Sequence, residues 1–359
     1  MNGAGRAELY DGRTEPGLRD IATEVASAPC AVTSGSIPAW LSGSMYRQSG
    51  AAFPPPSNTI GFAYVHGLAH VAAVRFQDGG AHMTNAAVRT EAHARWKTDG
   101  AREWGNPHEI TLGGGAAAPK ALYDGPNPNV TVWKVGEGTL AALSEAPRGR
   151  VILLDESTLG TVGVEDMMDE DAVFLQAAHF FAEQDGQGFH AALYMEETGG
   201  GEVAFGYSIF HGAANRPPLT PAARLEVARF PEGQPPGDGS RLAYMHTLAV
   251  TANYVVLFGS SRCLDYATFL NEWRAQTKSR VGFFQLWPWC DEACALHVFR
   301  RSGPGGAQLT YAGERRAPEP LLVWHTANAF EKGGRLVVDV RASTSSSCHP
   351  PQCLDTRPL

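Results

Sequence analysis

No run of roughly eighteen apolar residues, the length a bilayer-spanning helix needs, occurs anywhere in the 359-residue chain. The opening MNGAGRAELYDGRTEPGLRD has no basic start leading into an apolar core, so it does not read as a secretory signal. Acidic residues appear too early in it for a transit peptide. Positive charge is also short. Lys and Arg total 29 against 37 Asp and Glu, for a net charge of -8, which argues against nucleic acid as a partner because phosphate binding needs clustered cations. The six cysteines show no disulfide framework suited to a chain of this size. Cys290, Cys294, Cys348 and Cys353, with His349 nearby, lack the CxxC knuckle spacing of a zinc site, so reduced and mostly buried thiols are expected. Charged residues are only 18% of the chain and hydrophobic ones 43%, enough for a sizeable core.

Helical periodicity is scarce too. YATFLNEWRAQTK (266–278) is the one candidate helix. In its place are 40 glycines and 24 prolines separating short apolar runs. VTVWKVG (130–136), TLAALSE (139–145), RVILLD (150–155), HAALYME (190–196), YVVLFG (254–259) and RLVVDV (335–340) are all strand-like. Short strands at this spacing predict an all-β sandwich, barrel or propeller. Residues 212–240, with GAANRPPLTPAA and PEGQPPGDGS, read as loops.

Three apolar hairpins each carry a histidine five or six residues before the turn. In LLVWHTANAFEKGGRLVVDV (321–340), His325 enters and Glu331-Lys332-Gly333-Gly334 turns. His246 enters YMHTLAVTANYVVLF (244–258), and His179 enters LQAAHFFAEQDGQGFHAALYM (175–195). A buried imidazole is costly unless both nitrogens find partners, so each is a satisfied core residue or a ligand. Spacings of 67 and 79 residues suit one equivalent position in successive or alternate propeller blades. Such positions converge on the axis, where three imidazoles make a metal site. His66 and His70, four apart in YVHGLAHV, offer a local pair, while His82, His93, His108, His211 and His297 read as surface or incidental.

From about residue 36 to 341 the chain resembles the carotenoid cleavage oxygenases. SIPAWLSGSMYRQSGAAF (36–53) is similar to the family's opening segment, and the stretch 61–89 to its glycine-containing aromatic segment and following strand pair. NPNVTVWKVGEGTLAALSEAPRGRVILLDESTLGTVG (127–163) resembles its asparagine-rich strand, Leu-x-Glu motif and Asp-x-x-Thr-Leu turn. AAHFF, YMHTLAVTANYVV and WHTANAFE then match three metal-ligand motifs in order.

The resemblance implies an all-β, seven-bladed β-propeller with Fe(2+) on its axis, bound by histidines, of which His179, His246 and His325 fall on the first three positions. It places Glu145 in the catalytic machinery, as a glutamate accepting a ligand imidazole's N–H, most simply that of His246. The opposing reading of Glu145 is a half-buried carboxylate at a strand end. The implied reaction adds O2 across a conjugated double bond of a carotenoid or apocarotenoid, giving two carbonyl products, with an apolar tunnel positioning the polyene. Phe180 stands where the family has proline, and Ala252 where it commonly has an acidic residue. The chain is shorter than the family's usual length, and the fourth ligand histidine lies in a region that this sequence does not match; His349 is the only histidine after His325. The propeller is therefore expected to be incomplete, with roughly five blades. Residues 1–35 would form an N-terminal extension, 36–341 a single domain and 342–359 an irregular tail.

Two functions compete. One is the iron-dependent oxygenase; the other is an inactive propeller module that binds a lipid or a protein. An intracellular chain, in cytoplasm or plastid, either soluble or peripheral to a membrane, fits both. VGFFQLWPWC (281–290) with the preceding cations suggests a tunnel mouth resting on a bilayer through Phe283, Trp287 and Trp289; ordinary core packing is the alternative.

Overall fold

The computed structural model describes residues 23–52, 67–90, 93–94, 97, 109–110, 127–143, 145, 150–168, 173–213, 218–231, 234, 236, 239–274, 281–282 and 286–344. The chain divides into two compact units. The first comprises Met1–His108, Tyr123–Ser144 and Arg150–Glu165, and the second Glu109–Leu122, Glu145–Gly149 and Asp166–Leu359.

In the first unit, β1 (Val25–Pro29), β2 (Gly43–Ala52), β3 (Leu68–Gln77) and β4 (Gly80–Ala87) form an antiparallel sheet in the order β1-β4-β3-β2. A second sheet runs β6-β7-β8-β9 (Thr131–Gly136, Thr139–Leu143, Arg150–Asp155, Thr161–Asp166), with β5 (Glu109–Ile110) assigned to the other unit. The apolar alternation read from the sequence becomes the core here: Val71, Ala73, Leu140, Ala142, Ile152 and Leu154 are all buried together.

The second unit holds β10 (Val173–Gln176), β11 (Phe181–Ala182), β12 (Gln187–Thr198), β13 (Glu202–Ala213) and β14 (Thr220–Pro231) in the order β10-β12-β13-β14, with β11 paired on β12. It also holds β15 (Leu248–Val250), β16 (Tyr254–Gly259), β18 (Ala295–Ser302) and β19 (Gln308–Arg316) as a four-stranded sheet. The hairpin β20–β21 (Leu322–Lys332, Arg335–Ser343) and the short pair β5–β17 (Val281–Gly282) complete it. Gly333 and Gly334 take φ of 58° and 71°, the left-handed pair that a tight hairpin turn requires. The helix α1 (Tyr266–Arg274) starts at Asp265, whose carboxylate accepts from the Thr268 N–H at 3.2 Å and the Thr268 hydroxyl at 2.8 Å. Its Tyr266, Phe269 and Leu270 pack with Phe174, Phe205 and Phe230 in the main core; the Phe205 and Phe230 rings are stacked at 5.5 Å.

Four sequence expectations need correction. Residues 220–231, read as loop, are the twelve-residue strand β14. Its prolines, Pro221 and Pro231, sit near its ends and it lies at a sheet edge, where a missing N–H costs no ladder bond. The cysteines are not all thiols: Cys263 and Cys290 are joined, with Cα atoms 5.9 Å apart, which removes Cys290 from any zinc site. Cys348, Cys353 and His349 lie outside the described residues, and Cys294 is a buried thiol. His93, His211 and His297 are buried rather than at the surface; His70 is buried as well, and His66 and His108 lie outside the described residues.

The fourth concerns Trp287 alone among the residues of the expected bilayer rim. Trp287 is fully buried in the main core, and Trp289 is half-buried against that core, 5.7 Å from the Arg262 guanidinium. Phe283 lies outside the described residues. Among the described residues no helix is long and apolar enough to cross a membrane.

Candidate metal centre

His179, His246 and His325 come together within the second unit. Each offers one ring nitrogen, and the three nitrogens lie within 4.8 Å of one another. The ring centroids are 5.2, 4.9 and 5.3 Å apart, all edge-to-face, so the rings point at a common centre rather than stacking. Metal–nitrogen bonds of about 2.1 Å bridge at most about 4.2 Å, so small inward rotations close the set on one ion.

Backbone pairing between neighbouring segments places them. His179 lies in the link between β10 and β11, and His246 two residues before β15; only His325 lies within a strand, β20. The Ala178 N–H donates to the His246 carbonyl at 2.9 Å, tying the first two ligand segments together. The Thr326 hydroxyl donates to the Leu248 carbonyl at 3.2 Å and ties β20 to β15. The Gln176 N–H donates to the Glu145 carbonyl at 2.9 Å, which brings Glu145 to the same place.

Glu145 and His246 then meet: Oε1 is 2.6 Å from Nδ1, and both groups are buried. An ionised carboxylate only accepts, so the imidazole proton sits on Nδ1 and the Nε2 lone pair is left for a ligand bond. The Trp324 and His246 rings meet edge-to-face, at 5.1 Å between centroids.

The electrostatics favour neutral rings at His179 and His325. Burial, and then the nearby His246 and His325, push the His179 pKa down to about 4. Burial lowers that of His325 as well, although it is the most exposed of the three. The Nε2 of His179 is buried with no hydrogen-bond partner among the described residues. A buried nitrogen left without a proton partner is costly unless something else binds its lone pair. Three converging imidazoles with such a nitrogen among them form a donor set suited to a divalent transition metal.

Two further residues near this centre carry little signal in the sequence alone. His190, on β12, is fully buried; its Nε2–H donates to the Gln176 Oε1 at 3.3 Å. Tyr244 places its hydroxyl 2.8 Å from His246 Nδ1 and bonds Glu145 Oε1. The i, i+2 spacing of Tyr244 and His246 puts both on one side of an extended segment, the only hint available beforehand.

The family model for retinal pigment epithelial membrane protein matches residues 18–357. A single-residue variant of the Synechocystis apocarotenoid oxygenase superposes with a TM-score of 0.61 at 19% identity. A chimera of apocarotenoid oxygenase with retinal pigment epithelial membrane protein gives 0.61 at 20%, and a cobalt-substituted Synechocystis oxygenase 0.58 at 19%. In each case 90% of this chain is covered and 62% of the other, so this chain spans less than two thirds of the solved oxygenases' length. The likeness shows the all-β fold of these enzymes, and the family match covers nearly the whole chain: it belongs to the retinal pigment epithelial membrane protein family of carotenoid oxygenases.

Proposed function

We propose that His179, His246 and His325 hold iron(II) and that the chain serves the oxidative cleavage of a conjugated carbon–carbon double bond in a carotenoid or apocarotenoid. The convergence of the three rings, with Glu145 fixing the tautomer of His246, carries this reading. Bound there, the iron would supply the dioxygen chemistry that turns one double bond into two carbonyl groups.

The chain's own groups have separate tasks. Glu145 keeps the proton of His246 on Nδ1 and raises the basicity of Nε2. Burial keeps His179 neutral at physiological pH, so its lone pair is available without competition from a proton. Trp324 packs its apolar ring against one side of His246 and limits water there. A polyene gives few polar handles, so positioning falls to such apolar surfaces.

The inactive lipid- or protein-binding module is favoured by one observation: three histidines, and no fourth, form the cluster among the described residues. Metal analysis separates the two readings. The purified chain, loaded anaerobically with ferrous iron and desalted, should retain about one iron per chain and convert an apocarotenoid to a shorter aldehyde detected by chromatography. Absence of retained iron would leave only the module.

A further inference from the structure

We propose that Tyr244 is a positioning residue for the metal centre, acting through Glu145 to decide which nitrogen of His246 carries the proton. Glu145 Oε1, His246 Nδ1 and the Tyr244 hydroxyl form a closed triangle in which Tyr244 lies 2.8 Å from Nδ1 and also bonds the carboxylate. A phenol can donate to either neighbour. If it donates to Nδ1, the imidazole proton must move to Nε2, the nitrogen not engaged by Glu145 or Tyr244, and His246 leaves the ligand set. If it donates to Glu145, the carboxylate draws both protons, Nδ1 keeps its own and Nε2 stays free. The buried charge of Glu145 selects the second arrangement, and the phenol in turn gives that charge a second donor.

Tyr244 is held so that it cannot leave the triangle. It is fully buried, its N–H donates to the Arg262 carbonyl at 2.7 Å, and its carbonyl accepts from the Ser260 N–H at 2.8 Å. Trp287 packs against its ring at 5.8 Å between centroids. The buried Trp287 thus belongs to the support of the metal centre, behind Tyr244.

The proposal rests on the metal reading above, and its test separates the two. Cobalt(II), titrated anaerobically into the metal-free chain, reports affinity through its visible absorption bands. Y244F should weaken cobalt binding about tenfold, within the range for partners of metal ligands. In the E145Q background the same change should cost nothing further or regain affinity, because the tyrosine then has no carboxylate to act through and only the unwanted donation to Nδ1 to lose. A merely structural tyrosine would give losses that add in the double variant, and that result overturns the proposal. So does wild-type affinity in Y244F. Should Y244F alone fold poorly, E145Q with and without Y244F still decides, since the buried charge is absent from both. A wild-type chain that takes up no cobalt overturns the metal reading and the role of Tyr244 together; a wild-type chain that binds it no better than Y244F overturns the role of Tyr244 alone.

Discussion

The Ala178 N–H donates to the His246 carbonyl at 2.9 Å, so the residue before one candidate ligand is fixed by the backbone of another. Ala178 is fully buried, and this bond cannot be replaced by water. Ala178→Pro removes the donor and should cost about 1–3 kcal/mol of stability, the price of an unpaired buried carbonyl. Cobalt affinity should fall with it, while Ala178→Gly, which keeps the N–H, should retain most of both. Urea unfolding and cobalt titration of the two variants check this; equal behaviour would refute it.

How much of this was legible beforehand follows from what each feature depends on. The strands RVILLD and YVVLFG were legible because the apolar pattern is local, and they are β8 and β16. The histidine set could be named because each hairpin repeats the same short context. Strand β14 was hidden by Pro221 and Pro231, which punctuate a sequence as loops do unless the edge position is known. The Cys263–Cys290 bond joins residues separated by 27 positions, and no spacing rule predicts that closure. The aromatic run around Trp287 fits core or bilayer rim from its local flanks alone, and what places Trp287 in the core is packing against residues remote in sequence, such as Tyr244.

Acid should destabilise the metal-free chain. Burial pushes the His190 pKa down to about 3, the backbone of His179 offsetting part of it, and that of His179 down to about 4. In the unfolded chain both titrate near 6.5. Between those limits the unfolded state binds more protons than the folded one, so the stability is fully present above about pH 6.5 and is lost as pH falls toward 4. Burial lowers the pKa of His70, His93, His211, His297 and His325 in the same sense. His190→Gln therefore removes one of several such groups and should reduce, without abolishing, the dependence of the urea midpoint on pH between 7.5 and 4.5. An unchanged slope would show that His190 is not among the groups that titrate on unfolding.

The disulfide gives a third expectation. Cys263 and Cys290 close a loop over 27 positions, for which chain entropy alone suggests about 3.5 kcal/mol. Cys263→Ser should lower stability by about 2–4 kcal/mol in urea. Backbone bonds from Cys263 N–H to the Pro288 carbonyl at 3.1 Å and from Cys290 N–H to the Ser261 carbonyl at 3.0 Å remain, so the variant should still fold. Proteolysis of the alkylated, unreduced chain should yield one peptide pair linking the two cysteines. Recovery of Cys263 and Cys290 only as alkylated thiols would contradict the bond.

Gly188 tests how tightly the first candidate ligand is held. It opens β12 opposite Ala182, and a methyl group there would collide with the Phe181 carbonyl and the Phe180 ring. The carbonyl belongs to a paired strand and cannot swing aside, so β11 and Phe180 must shift. Phe180 follows His179 directly, and any shift reaches the ligand. Gly188→Ala should therefore cost about 1–3 kcal/mol and also weaken cobalt binding, two effects with one cause. Gly199, at the β12–β13 turn, has open space where its methyl would go, so Gly199→Ala should leave both nearly unchanged. Urea midpoints and cobalt affinities measured side by side decide it. If Gly188→Ala loses stability but binds cobalt as the wild type does, the link between β11 and His179 is looser than the packing implies.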